Sequence, residues 1–324
     1  MLLDPARSYD LIGDVHGCAH ALERLLAGLG YQRRGGVWRH KSRMAIFLGD
    51  LVDRGPHIRE TLHTVHDMVD SGEALCLMGN HEWYALGWTT PALPNSGRQF
   101  VREHTSRNER LIHETLTQFE GYPHDWQDFL SWFHELPLCV DAGRFRLVHA
   151  CWDAEMIAAL RARYPLCQID RAFLQEASNP ESVAAQCFQR LLRGIDMPLP
   201  DGVTLTSRDG FTRTVFRTRF WGEQPETYGD LVFQPDALPD EVANLPLSNE
   251  QKAMRLHYSA DEPLLFVGHY WCRGIPAPLQ PNLACLDYSA VRRGKLVAYR
   301  LDQETRLLPN KFFWVDVGAI GLDP

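Results

Sequence analysis

Five short polar motifs, each placed at the end of an apolar run, constrain this chain more than any other feature. They are Gly13-Asp14-Val15-His16-Gly17, Gly49-Asp50-Leu51-Val52-Asp53-Arg54-Gly55, Gly79-Asn80-His81-Glu82, Val148-His149-Ala150 and Gly268-His269. The runs that lead into them, residues 9–12, 44–48, 74–78, 145–148 and 264–267, have the length and apolarity of buried strands. Four of the five carry glycine immediately before the first polar residue, which lets the backbone turn sharply out of a sheet. Asp14 and His16, at i and i+2, point the same way if the strand continues through them. Strand ends in α/β folds converge on one crevice, so the five tips are expected to form one pocket.

The segments between the runs read as helices. Leu22, Leu25, Leu26 and Leu29 give one apolar face of a helix that Gly28 and Gly30 would help to close. Pro56 suits a first helical turn, and Ile58, Leu62, Val65 and Val69 continue at helical spacing. Trp83, Trp88, Trp126 and Trp132 mark an aromatic-rich helical stretch, and residues 283–286 with 296–301 read as a last pair of strands. Residues 154–164 and 181–192 are helical in pattern. The alternation predicts an α/β fold over residues 1–324 as a single domain, with 151–262 as an insertion or cap within it.

Composition removes several function classes. Lys plus Arg is 33 against 41 for Asp plus Glu, a formal charge of -8, which argues against a general nucleic-acid scaffold. No apolar run approaches the roughly 18 residues of a membrane span, and the acidic, Pro-containing start differs from a secretory leader. The eight cysteines are scattered without metal-ribbon spacing and read as reduced, buried thiols. A cytoplasmic protein with no membrane partner is the expectation.

The motifs offer two carboxylates (Asp14, Asp50), one amide oxygen (Asn80) and three imidazoles (His16, His149, His269), without a thiolate. Such ligands suit manganese, iron or zinc, and a shared carboxylate is the natural bridge of a two-metal site. In wording and order these motifs resemble those of the calcineurin-like metallophosphoesterases, within them the phosphoprotein phosphatase and diadenosine tetraphosphatase branch. The resemblance covers residues 8–82, 132–151 and 263–302. It implies two packed mixed β-sheets flanked by helices, with a helical and irregular insertion. It further implies that Asp14, His16 and Asp50 hold one divalent ion, manganese first, and that Asp50, Asn80, His149 and His269 hold the second. Asp53 and His81 then match the pair that protonates the leaving group, and Arg54 the arginine that grips phosphoryl oxygens, with Asn80 also on the substrate. Glu82 completes the motif without a chemical role. A carboxylate beside His81 would favour imidazolium.

The sequence departs from that family at Cys151, at Tyr270-Trp271 after His269, and in the segment Leu286-Asp287-Tyr288-Ser289-Ala290, ahead of Gly294-Lys295-Leu296. These positions border the site, so they bear on the substrate. The leading expectation is a protein serine/threonine phosphatase-like hydrolase that acts on phosphate esters by metal-activated hydroxide, with a phosphorylated substrate as its partner. The alternatives are a bis(5'-nucleosyl)-tetraphosphatase-like enzyme acting on dinucleoside polyphosphates or capped RNA ends, and a non-catalytic binding module on the same fold. Arg208, Arg213, Arg217 and Arg219 alternate with threonines and aromatics. Residues 196–235 are accordingly expected either to form a mobile cap, with Arg213 and Arg217 on the substrate, or to be an ordinary strand with a solvated face. Arg98, Arg102 and Arg273 are the other candidates for a second phosphate-binding arginine.

Overall fold

In the computed structural model, residues 3–4, 6–206, 212–222, 224–233, 238–253 and 255–318 are described. Ten strands build two sheets: β1 (Ser8–Ile12), β2 (Arg43–Phe47), β3 (Ala74–Cys76), β4 (Cys139–Asp141), β5 (Phe145–Val148), β6 (Leu264–Val267), β7 (Leu283–Cys285), β8 (Asp287–Tyr288), β9 (Lys295–Leu301) and β10 (Phe312–Asp316). One sheet runs β8-β9-β1-β2-β3, with β10 on β9, and the other β7-β6-β5-β4. Each mixes parallel and antiparallel neighbours. Their inner faces meet through Tyr9 against Phe145 (ring centroids 5.5 Å apart) and Phe266 against Tyr299 (5.1 Å), inside one apolar core.

Helix α1 (Ala19–Leu29) buries Leu22, Leu25, Leu26 and Leu29, the face its spacing predicted. Gly30 closes it in a left-handed conformation (φ 97°). Gly28 has another use: a Cβ there would lie 2.5 Å from the Phe313 ring, so glycine lets the helix settle on β10. Helices α2 (Ile58–Asp70), α3 (Asn80–Thr89), α4 (Ser106–Phe119) and α5 (Pro123–Phe133) follow. Trp126, Phe129, Trp132 and Phe133 of α5 are buried, which accounts for the aromatic-rich stretch.

The last two apolar runs are not partners of each other. β7 pairs parallel with β6, while β9 pairs with β1 in the other sheet, so the chain changes sheets at Leu286. Alternating apolarity signals two buried strands but cannot say which sheet each joins.

Between β5 and β6, α6 (Ala154–Arg163) and the segment to Leu192 pack into the main core, as Ile157, Leu160, Leu191 and Leu192 show. Met197, Leu199, Phe216, Tyr228, Leu231, Val242 and Leu247 form a separate small cluster. Here the Arg-rich stretch is strand: Val215–Thr218 pairs with Ile195–Pro198, and Thr212–Arg213 with Leu205–Thr206. Arg208 lies outside the described residues. Among the described residues, no helix is long and apolar enough to cross a membrane.

Candidate metal centre

The five motifs converge at the strand ends, but the backbone there is not the continued strand that the i, i+2 spacing suggests. Regular structure stops at Ile12 and Phe47. His16, Asp50, Asp53, Arg54, His269 and Trp271 then adopt left-handed backbone conformations, with φ between 45° and 70°. Each such non-glycine residue carries strain of about 1–3 kcal/mol, which concentrates at functional sites. The glycines mostly supply space rather than a turn. A Cβ on Gly79 would lie 2.2 Å from Asp50 Oδ1, and one on Gly268 would lie 2.2 Å from Asp14 Oδ1.

Asp50 sits at the centre. Its Oδ2 is 3.5 Å from His16 Nε2 and its Oδ1 is 3.4 Å from His149 Nε2. His149 Nε2 is also 3.2 Å from Asn80 Oδ1. Candidate ligand atoms of His16, Asp50 and His81 fall within 4.8 Å of one another, as do those of Asp50, His149 and His269. Asp50 belongs to both groups. Asp14 lies against the backbone of His269, whose N–H donates to its carboxylate (3.2 Å to Oδ2).

The imidazoles are oriented for ions. His16 Nδ1 is 2.8 Å from the carbonyl of Val52 and His149 Nδ1 is 2.7 Å from that of Leu48, so each ring donates from Nδ1 and points Nε2 inward, where a bound cation would replace any proton on it. His269 Nε2 is buried without a hydrogen-bond partner among the described residues. An orphaned buried nitrogen beside several buried carboxylates is a donor set that divalent cations would satisfy.

Burial works against charge throughout the site. It raises Asp14 well above the usual carboxylate range, helped by the charge of Asp287. Asp50 goes the other way: burial opposes its ionisation, but His149 and His81 hold it well below that range. His149 is lifted to about 10, since the Asp50 charge overcomes burial. Burial also raises Asp53 to about 7 and lowers His81 to about 3, Asp50 notwithstanding. Burial thus works against the imidazolium that a neighbouring carboxylate was expected to favour. His81 Nδ1 lies 2.5 Å from Asp53 Oδ2, and its Nε2 accepts from Arg54 Nη2 at 2.8 Å.

Arg54 also donates from Nη1 to His16 Nε2 (3.0 Å), so an ion and this arginine compete for one lone pair. Its guanidinium stands 4.9 Å from the centre of the Trp271 ring, with that of Arg292 at 4.1 Å. Trp271 is thus placed at the site by the very position where the chain departs from the family pattern.

Glu82 has a task that the sequence reading did not give it. Its carboxylate accepts from the backbone N–H groups of Asp50 (2.8 Å), Leu51 (2.8 Å), Val52 (3.3 Å) and Gly79 (2.9 Å). It thereby holds the loop that carries Asp50, Asp53 and Arg54. A buried donor left unpaired costs about 1–3 kcal/mol. Replacement Glu82→Ala should destabilise the fold by on the order of 3–5 kcal/mol, read from chemical denaturation, with Glu82→Gln losing less.

Other residues complete the surroundings of the site. Thr115 of α4 donates to Asp53 Oδ1 (2.5 Å) and accepts from the Asp53 N–H (3.0 Å). Asp287 receives the N–H groups of Trp271 (2.9 Å) and Ser289 (2.8 Å). Arg102, one of the alternative arginines, lies over the Tyr84 ring at 3.3 Å, and its charge bears on Asp53 and His81. Arg217 bears on His269, as does Arg193, which the sequence did not single out. Arg219 instead donates from Nε to the carbonyl of Asp230 (2.5 Å). Arg213 lies opposite Leu205 in its two-residue ladder.

Two mixed sheets thus carry clustered His, Asp and Asn side chains at their strand ends. The family model for calcineurin-like phosphoesterases matches residues 9–180, just over half of the chain, and the chain belongs to that family. An asymmetrical bis(5'-nucleosyl)-tetraphosphatase of Oceanobacillus iheyensis is 44% identical over 73 residues, 22% of this chain. The chain spans only 29% of the length of that relative. A symmetrical bis(5'-nucleosyl)-tetraphosphatase of Aromatoleum aromaticum is 27% identical over 305 residues, covering 90% of this chain and 92% of that one. The solved structure of a protein serine/threonine phosphatase from Saccharomyces cerevisiae shares the fold at TM-score 0.50 and 16% identity, over 98% of this chain and 82% of that one.

Proposed function

We propose that this chain is a hydrolase of phosphoric ester or phosphoanhydride bonds that works with two divalent ions. The observation that carries the reading is the hydrogen-bonded line Thr115–Asp53–His81–Arg54, laid beside the shared carboxylate of Asp50. Asp14, His16 and Asp50 would hold one ion, and Asp50, Asn80, His149 and His269 the other, with manganese, iron or zinc suiting the oxygen and nitrogen donors. Such ions supply positive charge to phosphoryl oxygens and lower the pKa of water. The chain's own residues do the rest. Arg54 lies within reach of both His16 and His81 and would engage phosphoryl oxygens between them. His81 would give a proton from Nε2 to the departing oxygen while Asp53 accepts from Nδ1 and Thr115 fixes Asp53. An arriving phosphate brings the negative charge that favours a protonated His81 against burial. The full ligand set and the His81 line argue against a non-catalytic module, and eight free thiols fit a reducing cytoplasm.

The substrate the site supports best is a polyphosphate chain, as in dinucleoside polyphosphates. Beyond Arg54, the charges of Arg102, Arg193 and Arg217 bear on the site, the last two facing Asp196 at 4.0 and 3.7 Å, and a chain of several phosphates offers such a group more anionic oxygens than one phosphoryl does. The similarity to tetraphosphatases agrees with this reading. A phosphoprotein monoester is the second reading, favoured by the Asp53-Arg54-Gly55-Pro56 and Asn80-His81-Glu82 wording. Phosphate-release assays on manganese-loaded protein separate them: kcat/KM should be higher for diadenosine tetraphosphate than for a phosphoserine peptide, and the reverse order refutes the polyphosphate reading. Capped RNA belongs in the same comparison.

Arg102 gives a finer check. Its Nε is buried without a hydrogen-bond partner among the described residues, beside the Asp53–His81 pair. If it engages phosphoryl oxygens, Arg102→Ala should cost about 2–4 kcal/mol in kcat/KM, comparable to losing one oxyanion donor, with metal content unchanged.

A further inference from the structure

Away from the metal centre, Cys139 of β4 and Cys167 of the segment after α6 face each other with their sulfurs 3.3 Å apart. Both are almost fully buried, at 2% and 1% exposure. The surrounding backbone fixes them. Leu138 N–H donates to the carbonyl of Cys167 (2.8 Å), Cys167 N–H donates to that of Tyr164 (2.8 Å), and Cys167 itself is held at a left-handed φ of 55°. In β4, Cys139 pairs across the ladder with Val148, the residue before His149.

Two features distinguish this pair from inert buried thiols. The first is polarity: the Cys139 S–H donates to the Cys167 sulfur, and Arg161 lines the same cavity with its positive charge bearing on Cys167. Both effects favour a thiolate at Cys167, whose pKa comes down to about 7 against burial, while Cys139 is pushed well up. The second is access. Cys139 and Cys167 both line a cavity of about 250 Å³, together with Cys76, Arg161, Leu166 and Gln168. Leu166 on its wall is 61% exposed, so the cavity communicates with solvent. A cavity of this size has room for a small hydroperoxide.

We infer that Cys139 and Cys167 form a hydroperoxide-reactive dithiol, with Cys167 as the attacking sulfur and Cys139 as the resolving one. The Cys167 thiolate attacks one peroxide oxygen, the O–O bond breaks, and the leaving oxyanion takes a proton as water or alcohol. Cys167 is left as a sulfenic acid. The Cys139 sulfur then attacks Cys167, expelling hydroxide, which takes the Cys139 proton and leaves as water. In sum, two thiols and one hydroperoxide give one disulfide, one alcohol (water from hydrogen peroxide) and one water. The two sulfurs are oxidised by the two electrons that the peroxide accepts. Electropositive surroundings and a resolving cysteine at contact distance are the features that make such chemistry site-selective.

The test uses the native full-length protein loaded with zinc, which takes no part in redox chemistry. Hydrogen peroxide is added, free thiols are alkylated after quenching, and peptides are mapped by mass spectrometry. The expected result is one dominant cross-link, Cys139 to Cys167, abolished by dithiothreitol. With Cys139→Ser the reaction should stop at a dimedone-trappable sulfenic acid on Cys167. With Cys167→Ser the rate of peroxide-dependent thiol loss should fall at least about tenfold. The wild-type map stands whether or not the variants fold. Absence of the cross-link at peroxide levels that oxidise free cysteine overturns the inference, and so does a dominant pairing elsewhere, such as Cys272 with Cys285.

Discussion

Replacement of Asp50 by Asn should strip both metal ions from the protein, not one. Its two oxygens face different imidazoles, Oδ2 toward His16 at 3.5 Å and Oδ1 toward His149 at 3.4 Å. An amide keeps one acceptor oxygen, presents N–H donors in place of the other and removes the negative charge. Losing a group that merely supports a ligand costs roughly 10–100-fold in metal affinity, and loss of a shared ligand should exceed that for both ions. Elemental analysis of reconstituted wild-type protein is expected to find about two equivalents of manganese, iron or zinc, and the Asp50→Asn protein less than one. Phosphate release should fall with it. The variant also removes a charge that stabilises protonated His149, so that ring should titrate lower than in the metal-free wild type, a shift that imidazole NMR signals would follow. A variant that keeps one full equivalent would show that Asp50 serves a single ion.

The candidate ligands were legible in the sequence because each is local. A short apolar run, a small residue and a polar side chain are all contained within about six positions, and strand ends in this architecture converge. What surrounds the ligands was not legible, because it depends on approach between distant segments. Glu82 reads as an ordinary helix-start acid, yet it binds backbone N–H groups of residues about thirty positions earlier. Thr115 carries no motif at all and reaches Asp53 only because α4 folds against the second loop, and the fold alone distinguishes Arg102, one of several candidate arginines, by bringing its charge to bear on Asp53. The glycine motif gave the right positions for an incomplete reason: Gly79 and Gly268 are needed because a carboxylate oxygen occupies the space of a Cβ. The helical faces were recoverable from spacing, whereas the assignment of residues 283–286 to one sheet and 295–301 to the other was not, since a one-residue crossing at Leu286 leaves no mark in apolarity.

The same contrast shapes expectations for His81. Replacement His81→Asn should lower kcat by about 10²–10⁴-fold, the range of general acid catalysis, with both ions retained. Retention is expected because His81 is already engaged at both nitrogens, by Asp53 at 2.5 Å and Arg54 at 2.8 Å, and neither contact requires an ion. The loss should depend on the leaving group. An alkoxide needs a proton to depart, so alkyl phosphate esters should show the full effect, whereas nitrophenolate leaves unaided and its esters should be nearly indifferent. Asp53→Asn supplies the complementary test: an amide can still accept from Nδ1 through its oxygen but bears no charge, so the ring should keep its place while its protonated form becomes costlier. Its rate should therefore fall for alkyl esters with KM little changed. Equal losses on both ester classes in the His81→Asn protein would instead mean that this imidazole serves as a metal ligand, as its place in one group with His16 and Asp50 allows, and the proton would then have to come from another group.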